Sequence, residues 1–165
     1  MNLLNKLFTK KDEDNFNYIF APVAGEAIAL TEVPDAAFAA GELGNGIGII
    51  PTDGHVYAPA NGIIDMTFET GHAVSTIAEN GAEVLIHVGI DTVKLNGRPF
   101  EKMVQTGQKV KKGDLMLIAD LAAIKDAGLS TVTTVIVHNH ANYASFNTFS
   151  GKTVTTDDVV IELKI

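Results

Sequence analysis

The chain reads as an all-β domain, an antiparallel β-sandwich or closely related barrel with one or two short helical turns. Apolar segments are short and rich in Val, Ile and Thr, and Gly, Pro, Asn or Asp cuts them about every 8–12 residues. Only two stretches carry a helical look. The length of 165 residues suits one packed domain and is short for two.

In chain order, strands are expected within 18–30, 46–51, 55–68, 83–90, 111–120 and 131–137. VPDAAFAAG (33–41) fits a helical turn, and LAAIKDAGL (121–129) fits a short helix ended by Gly128. One pattern occurs twice. Phe20-Ala-Pro-Val-Ala-Gly25 and Tyr57-Ala-Pro-Ala-Asn-Gly62 share aromatic-Ala-Pro-x-x-Gly, each followed by an apolar strand. Two copies suggest paired strand–turn–strand units, with Pro at strand edges where its missing N–H does no harm.

Composition removes several functions. A net charge of −8 disfavours nucleic-acid binding, which needs clustered Lys and Arg. With no Cys there is no disulfide framework, no thiol nucleophile and no Cys-based zinc site, and a reducing, cytoplasmic setting fits. No apolar run approaches the ~20 residues of a membrane span. Residues 1–16 are expected to form a flexible N-terminal segment before a domain at 17–165. Leu3, Leu4, Leu7 and Phe8 fall on one helical stripe near Lys6, Lys10 and Lys11, so a weak membrane-surface contact through residues 1–11 is the alternative to a frayed terminus.

Asn80-Gly81 is the strongest short hairpin signal, between FETGHAVSTIAE and AEVLIHVGID. Read as a two-residue turn, it sets His87 opposite Val74, Gly89 opposite His72 and Asp91 opposite Thr70. One face then carries Thr70, His72, Val74, His87, Gly89 and Asp91. The other, with Ala73, Ser75, Ile77, Val84, Ile86 and Val88, becomes the core face. Two imidazoles, a hydroxyl and a carboxylate on one surface read as a reactive site more readily than as a structural histidine.

Neutral imidazole is a good nucleophile once one nitrogen is fixed as N–H and the other left free. A second imidazole can donate a hydrogen bond to developing negative charge. Phosphoryl transfer suits such a pair, because it asks mainly for positioning and charge stabilisation. The chain has no GxxxxGK[ST] and no GxGxxG, so a nucleotide donor is not indicated.

LIHVGIDTVKL (85–95), with Thr70-Gly-His72 upstream and Gly107-Gln-Lys-Val-Lys-Lys-Gly-Asp114 downstream, resembles the glucose-type IIA component of the bacterial sugar phosphotransferase system. VPDAAF (33–38) and GNGIGIIP (44–51) extend the likeness. The resemblance implies a β-sandwich phosphocarrier. His87 would take a phosphoryl group on Nε2 from phospho-HPr and pass it to a cysteine on the IIB component of a sugar permease. It further implies that His72 supports the phosphate, that Thr70 orients His72, and that the Gly89 carbonyl holds the Nδ1–H of His87. Asp91 would lie at the rim, and Phe38, Phe68, Leu85 and Val93 would dock partners. No cofactor and no metal are called for, and a monomer suffices. Gly71 and Lys94 stand where Asn and an acidic residue are frequent in that family, which bears on partner preference.

Two other readings have residues behind them. His87-x-x-x-Asp91 with His138-Asn-His140 imitates the ligand pattern of a zinc-dependent peptidoglycan peptidase, using His87, Asp91 and His140. Against it, His87 and Asp91 lie over ~13 Å apart along an unbent strand. Val110-Lys-Lys-Gly-Asp-Leu115 has the flavour of a lipoyl or biotinyl carrier and Glu101-Lys-Met103 faintly resembles a biotinylation site, but both lack the flanking context that would make them specific.

Overall fold

The computed structural model describes residues 17–165. The expectations for residues 1–16, including a membrane contact through 1–11, fall outside the described residues.

Among the described residues there are fourteen strands, all paired antiparallel. The first seven are β1 (Tyr18–Phe20), β2 (Gly25–Ala29), β3 (Asn45–Pro51), β4 (His55–Tyr57), β5 (Gly62–Thr67), β6 (Ala73–Ala78) and β7 (Glu83–Val88). The rest are β8 (Phe100–Lys102), β9 (Lys109–Val110), β10 (Leu115–Ala119), β11 (Thr133–Val137), β12 (Ser145–Thr148), β13 (Lys152–Val154) and β14 (Val159–Lys164). An eight-stranded sheet runs β13-β2-β3-β11-β7-β6-β5-β9, beside two three-stranded sheets, β1-β14-β12 and β4-β10-β8. Ile19, Ile47, Ile49, Ile86, Val135, Met116, Leu117 and Ile161 from all three sheets close one core. The β-sandwich expectation holds; strands β8, β9 and β12 to β14 were not among the expected segments.

Both helical expectations hold as well. α1 (Ala36–Ala39) is capped by the Asp35 carboxylate, which accepts from Ala37 N at 3.0 Å and Phe38 N at 3.1 Å. α2 (Leu121–Asp126) is capped by Asp120 and stops before Gly128 at φ +78°.

The eight-stranded sheet divides into two halves of matching order, β13-β2-β3-β11 and β9-β5-β6-β7, and the repeated aromatic-Ala-Pro unit ties them together. Phe20 N–H donates to the Pro59 carbonyl at 2.9 Å while Tyr57 N–H donates to the Pro22 carbonyl at 2.8 Å. One residue on, Ala21 and Ala58 donate to the carbonyls of Asp158 and Asp114. Phe20 pairs with Val159 at a bulge, and Tyr57 with Leu115 at another. Gly25 and Gly62 are required for one shared reason. A Cβ on Gly25 would lie 2.0 Å from the Ile50 carbonyl oxygen, and on Gly62 2.1 Å from that of Ile77. Two similar halves therefore meet at the β11–β7 pair, with Val135 opposite Ile86 at its centre.

Candidate active site

The hairpin between β6 and β7 differs by one residue from the two-residue reading. Ala73 pairs with His87, Ser75 with Leu85 and Ile77 with Glu83. Asn80 does not adopt positive φ, which a type I′ turn requires; Gly81 alone does, at +86°. Gly81 N–H bonds the Ala78 carbonyl and Ala78 N–H the Ala82 carbonyl, so Glu79, Asn80 and Gly81 form a three-residue loop. The two faces of β6 are thereby exchanged. Val74 is buried in the core, whereas Ser75 is half-buried and Ile77 exposed on the outer face. The assignment of β7 stands, with Val84, Ile86 and Val88 inside.

His72 still meets His87, because regular strand geometry ends between them. β6 begins only at Ala73, and Gly71 at φ +71° turns the chain before it. The His72 carbonyl keeps its bond from Val88 N–H at 2.8 Å. The two imidazole centroids lie 5.0 Å apart at an interplanar angle of 77°. Phe68 packs 5.3 Å from the His72 ring, Phe100 6.5 Å from it, and Phe38 5.2 Å from the His87 ring. Phe100 and Asp35 have no counterpart in the sequence expectations for the site. The sequence signal at Asp35 is that of a helix cap and does not by itself mark a site residue.

Each imidazole has a fixed inner nitrogen. His87 Nδ1 lies 2.8 Å from the Gly89 carbonyl oxygen, an acceptor only, so Nδ1 carries the proton. The turn at Gly89, φ +76°, brings that carbonyl back under the ring. A Cβ there would lie 2.4 Å from Thr92 Cγ2 and 2.8 Å from the Ser130 carbonyl oxygen. Gly89 N–H is tied to the Val132 carbonyl, and the Thr92 hydroxyl to the Val88 carbonyl. His72 Nδ1 lies 2.5 Å from Thr70 Oγ1.

Burial holds both rings neutral. It lowers the His72 pKa to about 4, with the nearby His87 adding to the effect. Burial also lowers the His87 pKa, opposed by the Gly89 carbonyl and by the charges of Asp35 and Asp91. Asp91 is exposed, in the left-handed region at φ 59°, with its carboxylate 3.7 Å from Lys94 Nζ. It sits at the rim. Val93 is exposed, Phe68 and Leu85 are half-buried, and Phe38 is buried against Val33, Ile90 and Ile136.

The zinc-hydrolase set is not assembled. Among the described residues no three His, Cys, Asp or Glu side chains gather into a metal-binding group. Asp91 turns toward Lys94, His138 Nδ1 toward the Leu43 carbonyl at 3.0 Å, and His140 toward Phe146. His138 N–H bonds Glu83, four residues along β7 from His87. In the carrier-like stretch 110–115, Lys112 lies 3.4 Å from Asp157 and over the Phe20 ring.

Comparison with known proteins agrees with this geometry. A family model described as phosphoenolpyruvate-dependent sugar phosphotransferase system, EIIA 1, matches residues 17–143. The chain belongs to this family. The glucose-specific EIIA component of Buchnera aphidicola is 40% identical over 163 residues, 99% of either chain. The beta-glucoside-specific EIIBCA component of Dickeya chrysanthemi is 46% identical over 125 residues, and the chain spans 20% of that protein's length. Among solved structures, glucose permease IIA from Mycoplasma capricolum gives a TM-score of 0.79 at 32% identity, covering 87% of this chain and 93% of that one. As an EIIA of this family the chain is a phosphotransferase, a phosphocarrier of the sugar phosphotransferase system. Membership implies HPr as donor and a IIB component as acceptor. No helix among the described residues is long and apolar enough to cross a membrane.

Proposed function

We propose that His87 carries the phosphoryl group on Nε2 and that residues 17–165 act as the carrier domain. The observation behind this is the bond from His87 Nδ1–H to the Gly89 carbonyl, which leaves Nε2 as the free lone pair. That lone pair attacks the phosphorus of phospho-HPr; an N–P bond forms on His87 as the donor's N–P bond breaks, and the donor imidazole leaves with the electron pair. In the second transfer the IIB cysteine thiolate attacks, an S–P bond forms, and the electron pair returns to Nε2.

Neutral His72 supports both steps. The Thr70 hydroxyl donates to Nδ1, which leaves the proton on Nε2 free to bond a phosphoryl oxygen where charge builds. Phe38, Phe68, Leu85 and Val93 form the apolar border on which donor and acceptor dock, and Asp91, paired with Lys94, marks its edge. The carrier works as a cytoplasmic monomer without a cofactor. Incubation with phosphoenolpyruvate, enzyme I and HPr tests the proposal. One acid-labile phosphoryl group should appear, and His87→Ala should abolish it. Labelling that persists in His87→Ala defeats the assignment.

A further inference from the structure

Asn-Gly occurs four times in the chain, at 45–46, 61–62, 80–81 and 96–97. Glycine has no side chain to shield its backbone nitrogen, so that nitrogen can attack the carboxamide carbon of the preceding Asn. The attack needs a nitrogen released from hydrogen bonds and an Asn side chain released from its partners. Three of the four pairs fail on that requirement. Gly46 is buried in β3 opposite Ile136, and its N–H is tied to Asn45 Oδ1 at 2.8 Å. Gly62 is held between Ala78 and Val110, and Asn61 Oδ1 accepts from Lys112 N–H at 2.8 Å. Gly81 N–H donates to the Ala78 carbonyl at 2.8 Å, and Asn80 Oδ1 accepts from Ala82 N–H at 3.0 Å.

The fourth pair is different. Asn96 ends the helical turn of 92–95 as an exposed residue in the left-handed region, φ 54°, and Gly97 follows at φ +82°. Among the described residues neither the Asn96 carboxamide nor Gly97 N–H makes a hydrogen bond. This loop also backs the site. A Cβ on Gly97 would lie 3.3 Å from the Thr70 carbonyl oxygen and 3.5 Å from Thr70 Cα. The Gly97 carbonyl accepts from Phe100 N–H at 3.1 Å, and Phe100 packs near the His72 ring.

We propose that Asn96 is a site of spontaneous deamidation, and that the isoaspartate formed there slows phosphoryl transfer through Thr70 and His72. The second half rests on the proposed role of His87. Gly97 N gives its proton to water or hydroxide and attacks Asn96 Cγ. A C–N bond forms, the carboxamide C–N bond breaks, and the nitrogen leaves as ammonia with the proton. Water then adds to the succinimide. Addition at the Asn96 backbone carbonyl breaks its bond to Gly97 N and leaves the chain running through Cγ, one methylene longer. Gly97 must take up that length, and it already touches Thr70, whose hydroxyl fixes the His72 ring.

The test ages the full chain at mildly alkaline pH and physiological temperature. Peptide mass mapping should find exchange of amide for acid at Asn96 about tenfold sooner than at Asn45, Asn61 or Asn80, which react only after local opening. Isoaspartate should be among the products. Aged wild type should pass phosphoryl from His87 to a IIB component about tenfold more slowly, the cost of displacing a positioned group by a fraction of an ångström. Asn96→Gln, aged alike, should keep its rate, because ring closure from the longer side chain is disfavoured. Asn96→Asp, measured before ageing, adds the charge without the methylene and should match unaged wild type. Amide loss that begins at another pair overturns the site. Conversion to isoaspartate with an unchanged transfer rate overturns its effect on the histidines. A wild-type chain that takes no phosphoryl group on His87 overturns the proposed function instead, and the mass map still decides the site.

Discussion

The two halves of the eight-stranded sheet share one ladder and differ in what covers it. Counting outward from the Val135–Ile86 pair, His87 corresponds to Ile136, Leu85 to Thr134 and His72 to Asn45. In the first half Ile136 is fully buried beneath Val33 and Phe38, and the Asn45 side chain is spent on Gly46 N–H. In the second half the corresponding positions hold two facing imidazoles, and α1 only borders them, through Phe38 against the His87 ring. The lesson is that an outward strand position becomes core when an aliphatic side chain is sealed under an element, and site when imidazoles framed by aromatic rings stand there. α1 works on both sides of the border, because Phe38 seals Ile136 and packs against the His87 ring.

If the open half is chemical, its supporting groups should matter for rate more than for stability. His72→Gln should still let His87 accept phosphate, yet slow transfer to IIB about a hundredfold, the usual loss for one preorganised donor. Single-turnover assays of each step would show it, and equal rates for wild type and variant would place His72 outside the chemistry. Next in size is Gly89→Ala. Positive φ and the contacts with Thr92 and Ser130 predict a loss of about 2–3 kcal/mol in chemical denaturation, together with slower phosphoryl uptake. Wild-type stability there would mean the turn under His87 is not constrained.

Both histidines also give the site a pH signature. Neutral His87 is the accepting form, so uptake should fall as pH drops through its pKa, with the midpoint below 6.5. His72 is neutral when folded and protonated when unfolded between about 4 and 6.5, so the unfolded state binds more protons there. Its contribution to stability is whole above 6.5 and fades as pH falls toward 4. Denaturation midpoints at pH 7 and pH 4.5, compared between wild type and His72→Gln, would resolve it; the variant should lose less. The smallest effect belongs to the covered half. Thr134 is fully buried and its hydroxyl has no hydrogen-bond partner among the described residues, so Thr134→Val should stabilise by about 1 kcal/mol and leave phosphoryl uptake unchanged. Slower uptake in that variant would mean the two halves are not divided as described.

Much of this was legible in the sequence, and the misses have identifiable causes. Alternation in EVLIHV put Val84, Ile86 and Val88 inside and His87 outside, and the structure agrees. Asn80-Gly81 located the hairpin but not its register, since Gly81 serves a three-residue loop as well as a two-residue turn. That one-residue difference would separate the histidines in regular strands. They meet because the chain turns at Gly71, and an isolated glycine states freedom without stating direction. Asp35 and Phe100 reach the site from distant elements through tertiary packing, which no local pattern encodes.

The central claim is that the Gly89 carbonyl, by holding Nδ1–H, decides which nitrogen of His87 reacts. Nitrogen and phosphorus NMR of the isotope-labelled chain after transfer from phospho-HPr tests it most directly. A single phosphohistidine at His87, bonded through Nε2 with Nδ1 still protonated, is the predicted result. Phosphate on Nδ1, or on any other histidine, would contradict it.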